Sequence, residues 1–549
     1  MAVLSNDKTA NFVYYKRLMS LITNDKFRLL QTVDFININT QYIVFMTKHI
    51  FNMNFSKYLW MLPIMLMLLT ITSCDDDDNY TTSRNALLTF SRDSVKMDTV
   101  FTSVPSSTYS FWVYNPNEDG LRLSKVRLQR ANQSGFRVNV DGEYLDNQTG
   151  SQIGGLELRG GDSLRVFVEL TAFVNHSDQP QLIEDNLVFL LESGVEQKVN
   201  LSAITWDAEI INELKVERDT IISTTKPIVI RKGITIDSTA TLSINGPTRL
   251  FFHADAGIDV YGRLLVNNGM GNGNVNSSGV GNGIVEMRGD RTDHMFDYLP
   301  YDRVSGQWQG IRIHSSSKGN IINMADIHSG SYGVICDSAA YDSITPRLTI
   351  MCSTIHNCKG PGLEATNAFV QVVNCQISNN LGDCLSVYGG GALVLHATLA
   401  QFYPFSADRG AALRFANYRD NSDIPLRFIE CYNCLVTGYE KDVVMGDSRD
   451  STVTFSYYFS HCIMRTPEIT DSLQLKAFDN VIFESPDDSI QGKQHFAIID
   501  EDNLIYDFHL DSLSTGIGKA LNLNNIFPYD HDMKMRGEPT DIGCYIFKP

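Results

Sequence analysis

Aliphatic residues recur at a fixed step through the second half of this chain. Ile355, Ile377 and Leu399 lie 22 residues apart, and Ile350, Val372 and Val394 keep the same step. Ile327, Leu435 and Ile463 extend the first column. A further column, Ile335, Leu363, Leu385 and Leu413, steps by 28, 22 and 28, the excess of six reading as a loop inserted on a rung. A period of about 20 to 25 residues built from short strand-like segments is the mark of a β-solenoid. Coils stacked at about 4.8 Å turn each aliphatic column into a buried ladder. No coil buries its apolar side alone, so stability comes from neighbours. Asn357 and Asn379 hold equivalent positions just after their Ile residues, where asparagine tolerates the left-handed backbone of a corner. Ile228-Val229-Ile230, Ile234-Thr235-Ile236 and Leu242-Ser243-Ile244 read as the first coils.

Residues 85–207 follow a different rule. Tyr109–Tyr114, Ser163–Leu170 and Asn186–Leu191 alternate with period two, and Asn115-Pro116-Asn117, Asp141-Gly142 and Gly160-Gly161-Asp162 punctuate them. Short alternating strands at this spacing predict an antiparallel β-sandwich. Phe111 and Trp112 point to opposite faces of one strand. One belongs to the core, and the other is expected to pack or, as the sharper option, to offer a platform to a glycan.

The order Phe111-Trp112-Val113-Tyr114-Asn115-Pro116-Asn117, then Gly135-Phe136-Arg137-Val138, then Gly161-Asp162-Ser163 resembles immunoglobulin-like domains of the ASPM/hydin type. It also resembles the front domain of a family of surface lipoproteins from Gram-negative bacteria that carry a β-helix behind it. Gly306-Gln307-Trp308-Gln309-Gly310-Ile311-Arg312-Ile313 and the final Asp541-Ile542-Gly543-Cys544-Tyr545 resemble segments of the same family, which more usually has Ala where Cys544 stands. The resemblance implies an all-β chain: an N-terminal immunoglobulin-like β-sandwich over 85–207, then a right-handed parallel β-helix of the pectin-lyase-like kind over 208–549. It implies little about function.

The front of the chain carries a second resemblance. Leu68-Leu69-Thr70-Ile71-Thr72-Ser73-Cys74, followed by Asp75-Asp76-Asp77-Asp78, resembles a bacterial lipoprotein signal. That implies a diacylglycerol on the Cys74 thiol and a membrane anchor through it. The apolar run from Tyr58 to Ile71 is short for a bilayer span, which needs about 20 residues. Lys57 supplies the basic flank, so 53–73 read as the signal peptide and 1–52 as an extension with no place in it. Residues 74–84 read as lipidated cysteine and acidic tether. Acidic residues directly after such a cysteine also resemble a surface-export signal, which implies the outer membrane and its outer face.

Formal net charge is −18, and removing residues 1–73, with seven basic and three acidic side chains, takes it to −22. Such a body repels nucleic acid and anionic lipid, and leaves neutral glycans and calcium open as ligands. With Cys74 lipidated, nine of the ten cysteines remain, an odd number that rules out a complete disulfide framework. Most sit in apolar strand-like runs and read as buried thiols. Cys431-Tyr432-Asn433-Cys434 has zinc-ligand spacing without a second pair to complete it.

No residue set announces a reaction, and no catalytic residue is assigned. Glu364 and Arg414 follow Leu363 and Leu413, point outward and lie two coils apart, about 9.6 Å, so they mark a candidate glycan-binding face. His328 and His356 follow Ile327 and Ile355 on adjacent coils and pair as imidazoles, with no third metal ligand evident, so no metal is assigned there. Asp530, Asp532 and Asp541 have the oxygen chemistry for calcium, but read more simply as capping residues of a terminal turn. The glycine-rich stretch 269–283 lacks the Gly-Lys-Ser/Thr ending of a phosphate loop and reads as an insertion. Asp-Ser/Thr followed by an aliphatic residue recurs, as at Asp162-Ser163-Leu164, Asp342-Ser343-Ile344, Asp471-Ser472-Leu473, Asp488-Ser489-Ile490 and Asp511-Ser512-Leu513. It resembles the O-glycosylation motif of exported proteins in some Gram-negative anaerobes. Two functions follow: a non-catalytic surface lipoprotein whose β-helix face binds a glycan or another surface protein, or a lyase or hydrolase of an acidic polysaccharide using that face.

Overall fold

Alternation of apolar and polar residues builds the front of the computed structural model, which describes residues 79–268, 283–485, 490 and 492–549. In Tyr109–Tyr114 the side chains of Phe111 and Val113 are buried while Trp112 and Tyr114 are exposed. This strand lies in a five-stranded sheet ordered Thr89–Phe90, Tyr109–Tyr114, Ser163–Leu170, Phe136–Val140, Glu143–Tyr144. A second sheet is ordered Ser94–Phe101, Glu196–Trp206, Gln181–Leu191, Leu121–Leu128, Gln152–Ile153, with Leu156–Leu158 also paired to Leu121–Leu128. Phe111, Val113 and Val166 of the first sheet share one core with Val126, Phe189 and Leu201 of the second. The expected all-antiparallel sandwich needs one correction. Ser94–Phe101 runs parallel to Glu196–Trp206, because both strands head for the junction with the second half of the chain. There Phe101 meets Phe251 at 4.7 Å between ring centroids, and Trp206, Ala208 and Ile210 pack beside them. Polar contacts close the junction: Asp98 with His294 at 2.7 Å, and Ser107 donating to Asp293 at 2.7 Å. Trp112 packs in neither place; it is exposed, with the Arg165 guanidinium 5.4 Å from its ring centroid.

From Glu209 onward the strands stack in parallel, rung on rung. One ladder runs from Glu209–Ile211 through Arg249–Phe252, Val285–Gly289, Ala325–His328, Thr354–His356, Gln376–Ser378 and Thr398–Gln401 to Ile482–Phe483, 11 strands in order. The other two faces of each coil form a single sheet of 17 strands, joined where the long strands Leu363–Val373 and Leu385–Leu395 pass from one face to the next. This is a parallel β-helix. Its interior is one continuous apolar cluster from Val216 to Met464.

Left-handed backbone marks a corner on seven successive rungs. Met324, Cys352, Asn374, His396, Asn433, His461 and Asn480 all have φ between 42° and 58°, just before the next strand of the 11-stranded sheet. Asn357 and Asn379 take φ of 55° and 52° at the far end of that sheet, the corner role their spacing suggests. The residue after the first corner points inward, and Cys375, Ala397, Cys434 and Cys462 stand there as small apolar groups of the interior. All nine described cysteines are free thiols, and burial pushes Cys336, Cys358 and Cys384 up to about 12. Gly310 shows how closely rungs approach: at φ 104°, a Cβ there would lie 2.1 Å from the Tyr332 carbonyl oxygen.

Two of the aliphatic columns need correcting. Val334, not Ile335, pairs with Leu363, and Ile335 pairs with Glu364 on the outward register. Both residues are aliphatic, so the period alone does not choose between them. Leu399 is followed inward by Val436 and Met464, while Leu435 and Ile463 align with outward Thr398. They are apolar for another reason: the C-terminal segment covers them. Ala400, Phe402, Leu435 and Ile463 share a second core with Phe496, Phe508, Ile542 and Cys544. The chain end thus lies on the outer face of the 11-stranded sheet. Tyr545 donates to Gln376 at 2.7 Å, and the Cys544 amide donates to Thr398 at 3.1 Å.

Candidate ligand groove

On the 11-stranded sheet every second residue faces out, and two outward columns result. One reads Arg249, Glu286, Asp326, Thr354, Gln376, Thr398; the other reads Phe251, Arg288, His328, His356, Ser378, Ala400. Between them the inward column of Leu250, Met287, Ile327, Ile355, Ile377 and Leu399 is fully buried. Each such side chain contributes about 1.5–3 kcal/mol by leaving water, so the inner ladder fixes the register in which the polar residues stand.

The C-terminal segment covers the first column from Thr354 onward, through the Thr354–His531 contact at 3.0 Å and the Tyr545–Gln376 bond. In the second column Phe251 and Ala400 are covered by other segments, and the stretch Arg288, His328, His356 and Ser378 between them lines a groove. With Glu286, Asp326 and Gln376 of the first column it forms the floor of this groove of about 430 Å³, whose walls are Asp302 and Arg303 together with Leu504–Phe508, with Pro404 and exposed Phe405 beside them. Arg303 ties the walls together by donating to the Asn503 carbonyl at 3.1 Å.

At the centre of the floor, Oδ1 of Asp326 lies 3.2 Å from Nδ1 of His328 and 3.1 Å from Nε2 of His356. Burial works to raise the Asp326 pKa, but the two imidazoles, by charge and by hydrogen bonding, outweigh it and hold the carboxyl well below its usual range. Arg288, one rung before His328, is mostly buried and lies 3.9 Å from Glu286 and 3.7 Å from Asp302. Support comes from below. Trp308 is fully buried, stacks on Phe252 at 4.5 Å and donates from Nε1 to the His328 carbonyl at 2.8 Å. The groove therefore offers a carboxylate, two imidazoles, a guanidinium and an exposed aromatic ring, the convergent polar groups in a concave setting expected of a ligand site.

The sequence paired His328 with His356 and saw no third ligand. Asp326 is that third group. It lies two residues before His328 on the same strand, and residues i and i+2 share a face, so the signal was present. The wall formed by Leu504–Phe508 was not legible, because it lies more than 100 positions from the floor residues.

Glu364 and Arg414 lie on the other sheet. They share an outward column with Ser386 between them, two rungs apart. Each charge is engaged elsewhere: Glu364 with Arg419 at 2.7 Å, Arg414 with Asp383 at 2.8 Å. The C-terminal aspartates are engaged by donors. Asp530 accepts from the amides of Lys534 and Ile546, Asp541 from those of Gly518 and Phe547, and Asp532 contacts His509 and Lys534. Cys74, the acidic tetrad and the stretch 269–282 lie outside the described residues.

No family model matches the chain, and no curated protein matches it. Among solved structures, it is similar to a protein of unknown function from Porphyromonas gingivalis at 15% identity, over 24% of this chain and 59% of that one, with a TM-score of 0.16. A periplasmic alginate epimerase matches at 13% identity over 51% of this chain and 77% of that one, with a TM-score of 0.23. A family 28 exopolygalacturonase from Yersinia enterocolitica matches at 8% identity over 69% and 96%, with a TM-score of 0.19. Likenesses this distant carry no argument about activity.

Proposed function

We propose that this chain is a non-catalytic, lipid-anchored surface protein of the outer membrane that binds a glycan in the groove over Arg288, His328, His356 and Ser378. In this reading Cys74 carries the lipid, residues 85–207 are an immunoglobulin-like spacer, and the β-helix has the right hand that parallel crossovers almost always take. The observation that carries it is the groove itself. A straight row of polar side chains at rung spacing, walled by Asp302, Arg303 and Leu504–Phe508 with the exposed ring of Phe405 beside them, suits a linear chain of hydroxyl-bearing units. The Arg288 guanidinium adds a partner for a carboxylate-bearing sugar. The groove over His328 and His356 is concave and gathers polar side chains with an aromatic ring, so the ligand is assigned there rather than to the face of Glu364 and Arg414.

The test is a glycan array of neutral and acidic polysaccharides, followed by titration of the best ligand. Phe405→Ala and Arg288→Met are each expected to weaken binding by about tenfold, a loss of about 1.4 kcal/mol. Unchanged affinity in both variants sinks the assignment of the groove. Metabolic labelling with a fatty acid is expected to mark the wild type and not Cys74→Ala.

A second reading, an enzyme acting on an acidic glycan in the same groove, is favoured by one observation: Asp326 lies within hydrogen-bond reach of two imidazoles, an acid–base set. Appearance of an unsaturated uronate or of new reducing ends from the bound polysaccharide would replace the non-catalytic reading with this one.

A further inference from the structure

We infer that Asp326, His328 and His356 form a binding site for a divalent transition-metal ion of the zinc class. The three ligand atoms, Oδ1 of Asp326, Nδ1 of His328 and Nε2 of His356, all lie within 4.8 Å of one another. Two ligands bound at about 2.0–2.1 Å to a tetrahedral ion are about 3.3 Å apart. The separations of Oδ1 from the two nitrogens, 3.2 and 3.1 Å, are close to that spacing.

The site is preorganised by backbone register rather than by a loop. Asp326 and His328 stand two residues apart on Ala325–His328, and His356 pairs with His328 across the rung. The Trp308 indole holds the His328 carbonyl from beneath. Two imidazoles and one carboxylate suit zinc and its neighbours, and do not suit calcium, which takes six or more oxygens. Arg288, one rung from His328, lies close to the carboxylates of Glu286 and Asp302, so its charge is compensated locally. Three protein ligands leave the remaining coordination positions facing the groove, the open arrangement that lets a metal take a water or a ligand oxygen.

The inference does not depend on a glycan, and its test contains none. The purified full chain is stripped with a chelator and dialysed, then titrated with Zn²⁺ by calorimetry and with Co²⁺ by visible absorption. One equivalent of Zn²⁺ is expected, with visible Co²⁺ bands of a site having fewer than six ligands. Asp326→Asn and His356→Gln are each expected to lower Zn²⁺ affinity by about tenfold or more, while Glu430→Gln, on the 17-stranded sheet, stays within about twofold. Ca²⁺ at equal concentration is expected to leave Zn²⁺ bound. No saturable Zn²⁺ binding by the wild type, wild-type affinity in both ligand variants, or displacement of Zn²⁺ by Ca²⁺ overturns the proposal. Should a variant fail to fold, the imidazole ring signals of the wild type decide: those of His328 and His356 must shift at one equivalent, and binding that leaves them in place overturns it as well.

Discussion

The rings of His328 and His356 lie 4.7 Å apart and 22° from parallel because the two residues occupy one position on successive rungs. They are 28 residues apart in sequence, and only the stacking of coils makes them neighbours. In such a fold an outward side chain is placed by the aliphatic residue beside it. The buried ladder of Ile327, Ile355 and Ile377 sets both the stability of the coil and the distances on the floor of the groove. Substitutions inside the coil should therefore be felt outside it.

Trp308 is the sharpest case. It fills the core beneath the groove, stacked on Phe252, and its indole donates to the His328 carbonyl. Trp308→Ala should cost about 3–5 kcal/mol through the cavity it leaves. Trp308→Phe keeps a ring but leaves the carbonyl without its donor, and should cost about 1–3 kcal/mol. Chemical denaturation measures both, and an unchanged midpoint in Trp308→Ala contradicts the placement.

Val334 and Ile335 separate the two possible registers of their rung. Val334 is fully buried and aligned with Leu363, whereas Ile335 faces out and aligns with Glu364. Val334→Ala should cost about 2 kcal/mol and Ile335→Ala less than about 1, although isoleucine loses more atoms. The reverse order in a denaturation series would mean that the strand is slipped by one residue.

The sequence made the interior of the coil legible and its exterior much less so. Ile350, Val372 and Val394 share one inward column, as their 22-residue step predicts, since a ladder needs the same residue type at the same height. The step fails where apolarity has a second cause. Leu435 and Ile463 keep the pattern yet face outward, because Phe496, Phe508 and Ile542 cover them. A periodic reading cannot tell a residue buried inside a coil from one buried beneath a returning chain end. The same gap hid the groove. Its floor was half visible in His328 and His356, but Leu504–Phe508 reaches the wall only through tertiary folding.

The Asp-Ser/Thr-aliphatic motif divides into a part the structure explains and a part it leaves open. Oδ1 of Asp342, Asp471 and Asp511 accepts from the amides of Ile344, Leu473 and Leu513, at 2.8, 2.8 and 2.9 Å. These are turns closed by a side chain, which accounts for the aspartate. It does not account for the aliphatic residues, which are 86%, 73% and 73% exposed. Such side chains have no packing role, and they flank exposed Ser343, Ser472 and Ser512. If the motif is modified, these three serines are exposed acceptors among the described residues. Protein exported by its own host should then exceed its sequence mass, and the triple Ser→Ala variant should lose most of the excess. A bare wild-type mass removes the idea.

The last prediction concerns pH and the chain end that forms a wall of the groove. His509 bonds to Asp532 at 3.0 Å and to Asp507 at 2.5 Å, and stacks against Tyr545 at 4.1 Å. The bond to Asp532 raises the His509 pKa above its ordinary value, against an opposing effect of burial. The bonds from His509 and His531 hold Asp532 well below the ordinary carboxylate range. A histidine raised on folding contributes stability that is complete below its unfolded pKa of about 6.5 and is lost as pH rises through the folded value. The depressed carboxylate contributes stability that is complete above about 3.9 and is lost as pH falls through its folded value. Docking of the chain end should therefore be tightest between about pH 4 and 6.5, and should loosen on the alkaline side first. Amide exchange across residues 505–510 and 541–547, corrected for the intrinsic pH dependence of exchange, should lose protection as pH rises past neutrality. In His509→Gln that loss should vanish and protection at pH 6 should be lower than in the wild type. Equal alkaline loss in both proteins would take His509 out of the account.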